Sequence, residues 1–62
     1  MLIMLKNVKK YRAKKMLTLQ ELSEVSGASV GSIWTAEQGR PVSTGTARRI
    51  AKGLGVEPEK LV

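Results

Sequence analysis

The chain contains no cysteine and no histidine, and its acidic inventory is five glutamates with no aspartate: Glu21, Glu24, Glu37, Glu57 and Glu59. Without thiols there is neither a disulfide framework nor a thiolate metal site. Without imidazole there is no general base of that kind and no Ser/His/Asp constellation to activate a nucleophile. The expectation is a protein that is not an enzyme and needs no cofactor or metal. Long apolar runs are missing too. The longest, MLIML at residues 1–5, is far below the ~20 residues of a membrane span. It also precedes the first basic residues instead of following them, the reverse of a secretory leader. A cytoplasmic setting without a membrane is expected.

What remains is short and basic. The 62 residues carry 11 Lys and Arg against the five glutamates, a formal charge of +6. At this length a single domain over residues 1–62 is expected, and folding buries only roughly 60% of the surface of the unfolded chain, so the core must be small. The charge favours a polyanionic partner, nucleic acid first and an anionic membrane second. An amphipathic membrane helix fits poorly, because the apolar side of the basic N-terminal segment is interrupted by Arg12.

Gly, Pro, Ser and Thr divide the chain into five short helical patterns. The first runs from about Met4 to Lys15, with Leu5, Val8, Arg12 and Lys15 along one side, Tyr11 at its margin, and Lys6, Lys9, Lys10 and Lys14 on the other. Those four lysines, like Arg48, Arg49 and Lys52 further on, are either a solvated face or a source of attraction for DNA. Thr18 is a good N-cap for the second helix and Glu21 completes a capping box; Leu22 and Val25 supply its apolar face and Gly27 its end. Ser29 caps a third helix, Val30 to Gln38, which Gly39 and Pro41 terminate. Ser43 caps the fourth, with Ala47, Ile50, Ala51 and Leu54 inward and Gly55 as its stop. Pro58 to Leu61 forms a last turn, and Val56 and Leu61 close the bottom of the core.

Two charges fall on inward faces: Arg12 in the first helix and Glu37 beside Ile33 and Ala36 in the third. A lone buried charge is costly, so the simplest arrangement joins them in one ion pair; the alternative is that each side chain snorkels separately to the edge. The outward arc of the third helix carries Val30, Gly31, Trp34, Thr35 and Gln38. A short helix, a glycine turn and a slender second helix with small and polar groups outward is the form of a helix-turn-helix reader, whose second helix must enter a major groove about 12 Å wide. Glycine inside a helix costs about 1 kcal/mol against alanine, so Gly31 marks either close approach by a ligand or simple drift.

In register, Arg12, LTLQEL, GASVGSIWTAEQG, Pro41 and IAKGLGVEPEKL resemble the Cro/repressor (XRE-type) helix-turn-helix DNA-binding domains over about Val8 to Leu61. The resemblance implies an all-α fold, a compact bundle of four to five short helices resembling the lambda-repressor DNA-binding domain, with the third helix in the major groove of double-stranded DNA. It places Arg12 and Glu37 where the family often has a buried ion pair. Val30, Gly31 and Thr35 fall on positions that commonly touch base edges, and Ser29, Gln38 and Arg40 where phosphate contacts are usual, with Trp34 between the two groups. One departure concerns the start of the second helix. Where the family often has a phosphate-reaching glutamine, Leu19 stands here and Gln20 follows, leaving Thr18, Gln20 or backbone N–H groups to make that contact.

Three roles are open to Trp34: a sugar-phosphate contact through its ring and indole N–H, a protein contact, or cover for the edge of the core. MLIML is either a dimer contact or a hydrophobic extension of the first helix folded onto the domain; the segment Arg40–Ser43 and the C-terminal turn are the other candidate dimer contacts. The functional expectation is a sequence-specific DNA-binding transcriptional regulator, a repressor of prokaryotic or phage type, acting as a homodimer on adjacent half-sites. The alternative is a protein-interaction or antitoxin-like adaptor that keeps the fold with weak DNA binding and docks a protein partner.

Overall fold

Apolar residues at helical spacing, cut into short segments by caps and glycines, give four α-helices in the computed structural model, which describes all residues from Met1 to Val62. They are α1 (Val8–Lys14), α2 (Leu19–Ser26), α3 (Val30–Glu37) and α4 (Thr44–Leu54), followed by a 3-10 turn at Pro58–Leu61. Two three-residue strands, β1 (Leu2–Met4) and β2 (Pro41–Ser43), pair antiparallel with Ile3 opposite Val42. The all-α class holds, with this ribbon as a minor addition.

The core draws on every helix. Leu22, Ile33, Ile50, Leu54, Leu61 and Val8 are its largest fully buried side chains, with Leu5, Ala28, Ala36, Val42, Ala47 and Ala51 around them. All four inward positions read on α4 are buried. The Lys6 N–H donates to the Leu61 carbonyl, so the closing turn is tied back to the start of the chain.

Three readings of the sequence are corrected here. The first helix does not begin at Met4: residues 2–4 are β1, and α1 starts at Val8 after Asn7, which adopts a left-handed φ of 64° that Asn tolerates and a helix does not. MLIML is therefore no helical extension. Its strand is chosen because alternation lets Ile3 pack against the core while Leu2 and Met4 stay exposed. Val25 is exposed, and the inward face of α2 runs instead through Leu19, Leu22 and Ser26. The third helix ends at Glu37 with Gln38 as its C-cap, a one-residue difference.

Backbone detail explains two further residues. At the end of α1 the Met16 N–H donates to the Ala13 carbonyl and the Leu17 N–H to the Arg12 carbonyl, the paired bonds of a Schellman cap. Its left-handed position, φ 56°, is held by Met16, a residue with a Cβ and with a side chain almost wholly in solvent. Gly53 faces the opposite constraint. A Cβ there would lie 2.5 Å from the Ser26 Cβ and 2.9 Å from its Cα, so α2 and α4 touch only because Gly53 and Ser26 are small.

Met16→Gly should raise stability by about 0.5–1 kcal/mol, at about 4–8 °C of melting temperature per kcal/mol for a domain of this size. Gly53→Ala should lower it by about 1–3 kcal/mol through overpacking. Thermal unfolding followed by circular dichroism checks both; an unchanged melting temperature in either variant contradicts the corresponding contact.

Candidate nucleic-acid interface

Arg12 and Glu37 meet across the domain. The Arg12 Nε donates to Glu37 Oε2 at 2.6 Å and its Nη2 to Glu37 Oε1 at 3.0 Å, a bidentate fork. The third guanidinium nitrogen, Nη1, donates to the Leu17 carbonyl at 2.9 Å. The side chains retain only 17% and 6% of their exposure, so both charges are largely out of water and fully partnered. The hydrogen bonds it donates to Glu37, with that carboxylate's charge, hold the Arg12 guanidinium above its ordinary pKa, while burial works the other way. The pair fastens the C-terminal end of α3 to α1 and to the connection that leads into α2.

The other end of α3 is set by its turn. Thr18 Oγ1 accepts from the Glu21 N–H at 3.0 Å and Glu21 Oε1 from the Thr18 N–H at 2.9 Å, so the capping box that starts α2 is closed on both sides. Gly27 then takes a left-handed φ of 80°, which an L side chain would resist. Two serines brace the turn: Ser23 Oγ donates to the Ala28 carbonyl at 2.6 Å, and the buried Ser26 Oγ accepts from the Ala28 N–H at 3.1 Å. Ser29 Oγ accepts from the Ser32 N–H at 3.1 Å and caps α3.

Between these anchors α3 buries Ile33 and Ala36 and turns its other side out. Gly31, Gln38, Arg40 and Ser29 are exposed, Val30 and Thr35 half-buried, and Trp34 keeps 48% of its surface in solvent. Thr18 and Gln20 are exposed at the start of α2. Ser29, Gly31, Ser32 and Thr35 form one wall of an open depression of about 500 Å³. Its other wall is Pro41, Val42, Ser43 and Thr46, with Leu2 beside them. Thr18, Gln20, Val30, Trp34, Gln38 and Arg40 lie outside it.

The second wall is not among the DNA contacts expected from the sequence. Ser43 is visible in sequence as the cap of α4, and its Oγ accepts from the Thr46 N–H at 3.1 Å. The long-range register that puts Leu2 opposite Ser43 leaves no local signal. The hydroxyl of Thr35 is also less free than its type suggests, because it donates to the Gly31 carbonyl at 2.8 Å, a back-bond open to any helical threonine.

The electrostatics are one-sided. Arg12–Glu37 is the only ion pair, so the other ten basic residues have no carboxylate within salt-bridge distance. Lys6, Lys9, Lys10 and Lys14 are exposed, as are Arg40, Arg48, Arg49 and Lys52. Lys14 also sits over the Tyr11 ring, Nζ 5.4 Å from its centroid. No set of three acidic, imidazole or thiol side chains comes together to hold a metal, and no helix is long and apolar enough to cross a membrane.

Two short helices joined through a left-handed glycine, the second of them slender and outward-facing, define a helix-turn-helix protein. A family model described as Helix-turn-helix matches residues 8–61, and the chain belongs to that family, the Cro/repressor (XRE-type) domains of DNA-binding transcriptional regulation. Strand β1 lies outside the matched residues. No curated protein and no solved structure matches the chain.

Removing one partner of the buried pair strands the other charge. Arg12→Met or Glu37→Leu alone should cost about 3–5 kcal/mol, enough to unfold much of so small a domain. The double variant should recover most of that loss. Urea denaturation of the three proteins checks this; singles within about 1 kcal/mol of the parent would contradict the coupling.

Proposed function

We propose that this protein is a sequence-specific transcriptional regulator, a cytoplasmic repressor of prokaryotic or phage type, which reads the major groove of double-stranded DNA with α3 and occupies an operator. The observation that carries this reading is the combination, on one helix, of buried anchors at Ile33, Ala36 and Glu37 with a slender outward face at Gly31 and Thr35. Val30, Gly31 and Thr35 face base edges. Ser29, Gln38 and Arg40 meet flanking phosphates, and Thr18 and Gln20 do so from the start of α2. The unpaired lysines and arginines attract the duplex at long range, and binding must therefore weaken steeply with salt. No catalytic step, metal or cofactor enters this function.

Two copies on adjacent half-sites supply the affinity that one small domain lacks. Their contact is assigned to β1 and the residue before it, where exposed Met1, Leu2 and Met4 form an apolar stretch without a charged side chain. The same residues, with Trp34, favour the second reading, an antitoxin-like adaptor that docks a protein and binds DNA weakly.

Selection of sites from a random duplex pool at low and at near-physiological salt separates the two. Convergence on a motif of paired half-sites is the expected result; retention only at low salt with no motif would contradict the repressor reading. Trp34 adds an internal probe, since it is the single tryptophan. Acrylamide quenching of its fluorescence should fall when the selected duplex is saturated, and unchanged quenching would remove Trp34 from the interface.

A further inference from the structure

The charges of α1 run against its own stability. Its first turn carries Lys9 and Lys10 and no acidic residue, at the end of the helix where the backbone dipole disfavours cations. Asn7 ahead of it makes no side-chain capping bond. Lys10 and Lys14 stand four residues apart, a like-charge spacing that also destabilises a helix. In α2, by contrast, the first turn holds Glu21. No carboxylate offsets the costs in α1, since none lies within salt-bridge distance of the three lysines. A local rule broken without compensation inside the domain points to a ligand outside it.

The same lysines are turned away from the outward face of α3. Val8 is buried and Arg12 largely so on one side of α1, whereas Lys9, Lys10, Ala13 and Lys14 are exposed on the other. Arg12 bonds Glu37 on the inward side of α3, so the inner sides of the two helices face each other and their outer sides face apart. None of the three lysines lines the depression beside α3. A duplex lying against Gly31 and Thr35 leaves their ammonium groups uncovered.

The chemistry of this face selects its partner. It has no apolar side chain larger than Ala13 to enter a membrane. It offers no ring for unstacked bases either, because Tyr11 packs against the core and lies under the Lys14 Nζ. Lysines are flexible point charges that meet phosphates without regard to sequence. We propose that Lys9, Lys10 and Lys14 hold the phosphates of a second DNA duplex, so that the domain bridges the segment read by α3 to another of any sequence. The proposal rests on the DNA-reading function above. The Cα frame measures 28 × 20 × 18 Å, more than twice the screening length of ~8 Å at physiological ionic strength, so duplexes on opposite sides repel little. Two copies on adjacent half-sites double the lysines presented and supply the avidity that three contacts lack.

The test immobilises the duplex recovered by site selection, saturates it with protein, and measures capture of a labelled duplex of unrelated sequence. The parent should capture it, with a salt slope of about 0.9 per lysine–phosphate contact. Replacing all three lysines, Lys9→Gln with Lys10→Gln and Lys14→Gln, should weaken capture about tenfold or more and leave the salt slope for the immobilised duplex alone unchanged. That variant should melt at or above the parent's temperature, because glutamine matches lysine in helix propensity and removes the repulsion. Replacing the three by arginine should keep capture. Absence of capture by the parent, or undiminished capture by the glutamine variant, overturns the proposal. So does a loss of about three units from the glutamine variant's slope on the immobilised duplex, which would place the lysines on the segment that α3 reads. Poly-glutamate captured where duplex is not would make the partner an acidic protein and overturn it likewise. Each of these results leaves the DNA reader standing, whereas a pool that converges on no motif removes the DNA-reading function itself, and the proposal with it.

Discussion

The bidentate bond between Arg12 and Glu37 is the constraint on which the rest of the domain turns. A chain of 62 residues buries a small core, so few contacts fix each helix. One guanidinium here reaches three oxygens, two on Glu37 and one on Leu17, and so joins α1, the connection that leads into α2 and the end of α3. The direction of that bond matters more than its net energy, because a buried ion pair is weak evidence for added stability while a bidentate fork fixes geometry. With the C-terminal end of α3 held there and its N-terminal end held by Ser29 and the Gly27 turn, the helix has little freedom to roll. Its small, polar face is thereby kept in solvent.

Most of that frame is legible in the residues because it is local. Caps announce themselves by a hydroxyl residue and the N–H three positions on, and Thr18, Ser29 and Ser43 all make those bonds. Inward positions on α4 follow from periodicity alone. What stays hidden depends on contacts distant in sequence. MLIML is open in sequence to being an extension of the first helix, because five apolar residues adjoin a helical pattern, yet pairing with β2 and the left-handed Asn7 make residues 2–4 a strand. The tight approach of Gly53 to Ser26 and the exposure of Val25 are likewise consequences of how α2 meets α4, on which helical periodicity is silent.

The candidate interface is partly legible on the same grounds. A wheel separates the outward side of α3 from the inward one, so Gly31, Trp34 and Gln38 are placed correctly in solvent. It does not reveal that the hydroxyl of Thr35 is turned back on its own helix, or that Pro41, Ser43 and Thr46 face the same depression. Charge adds a second layer. Ten basic side chains without an acidic partner are an electrostatic cost to the isolated domain that a polyanion would relieve.

In the function proposed above, the outward side of α3, with the capped start of α4 beside it, is the surface that meets DNA. Titration of duplex DNA into the isotope-labelled protein, followed by backbone amide NMR shifts, tests it most directly. The largest changes should fall on residues 29–35, on 38–40 and on 43–46. Changes confined to β1, or spread evenly over the lysines of α1 with α3 unmoved, would contradict the account.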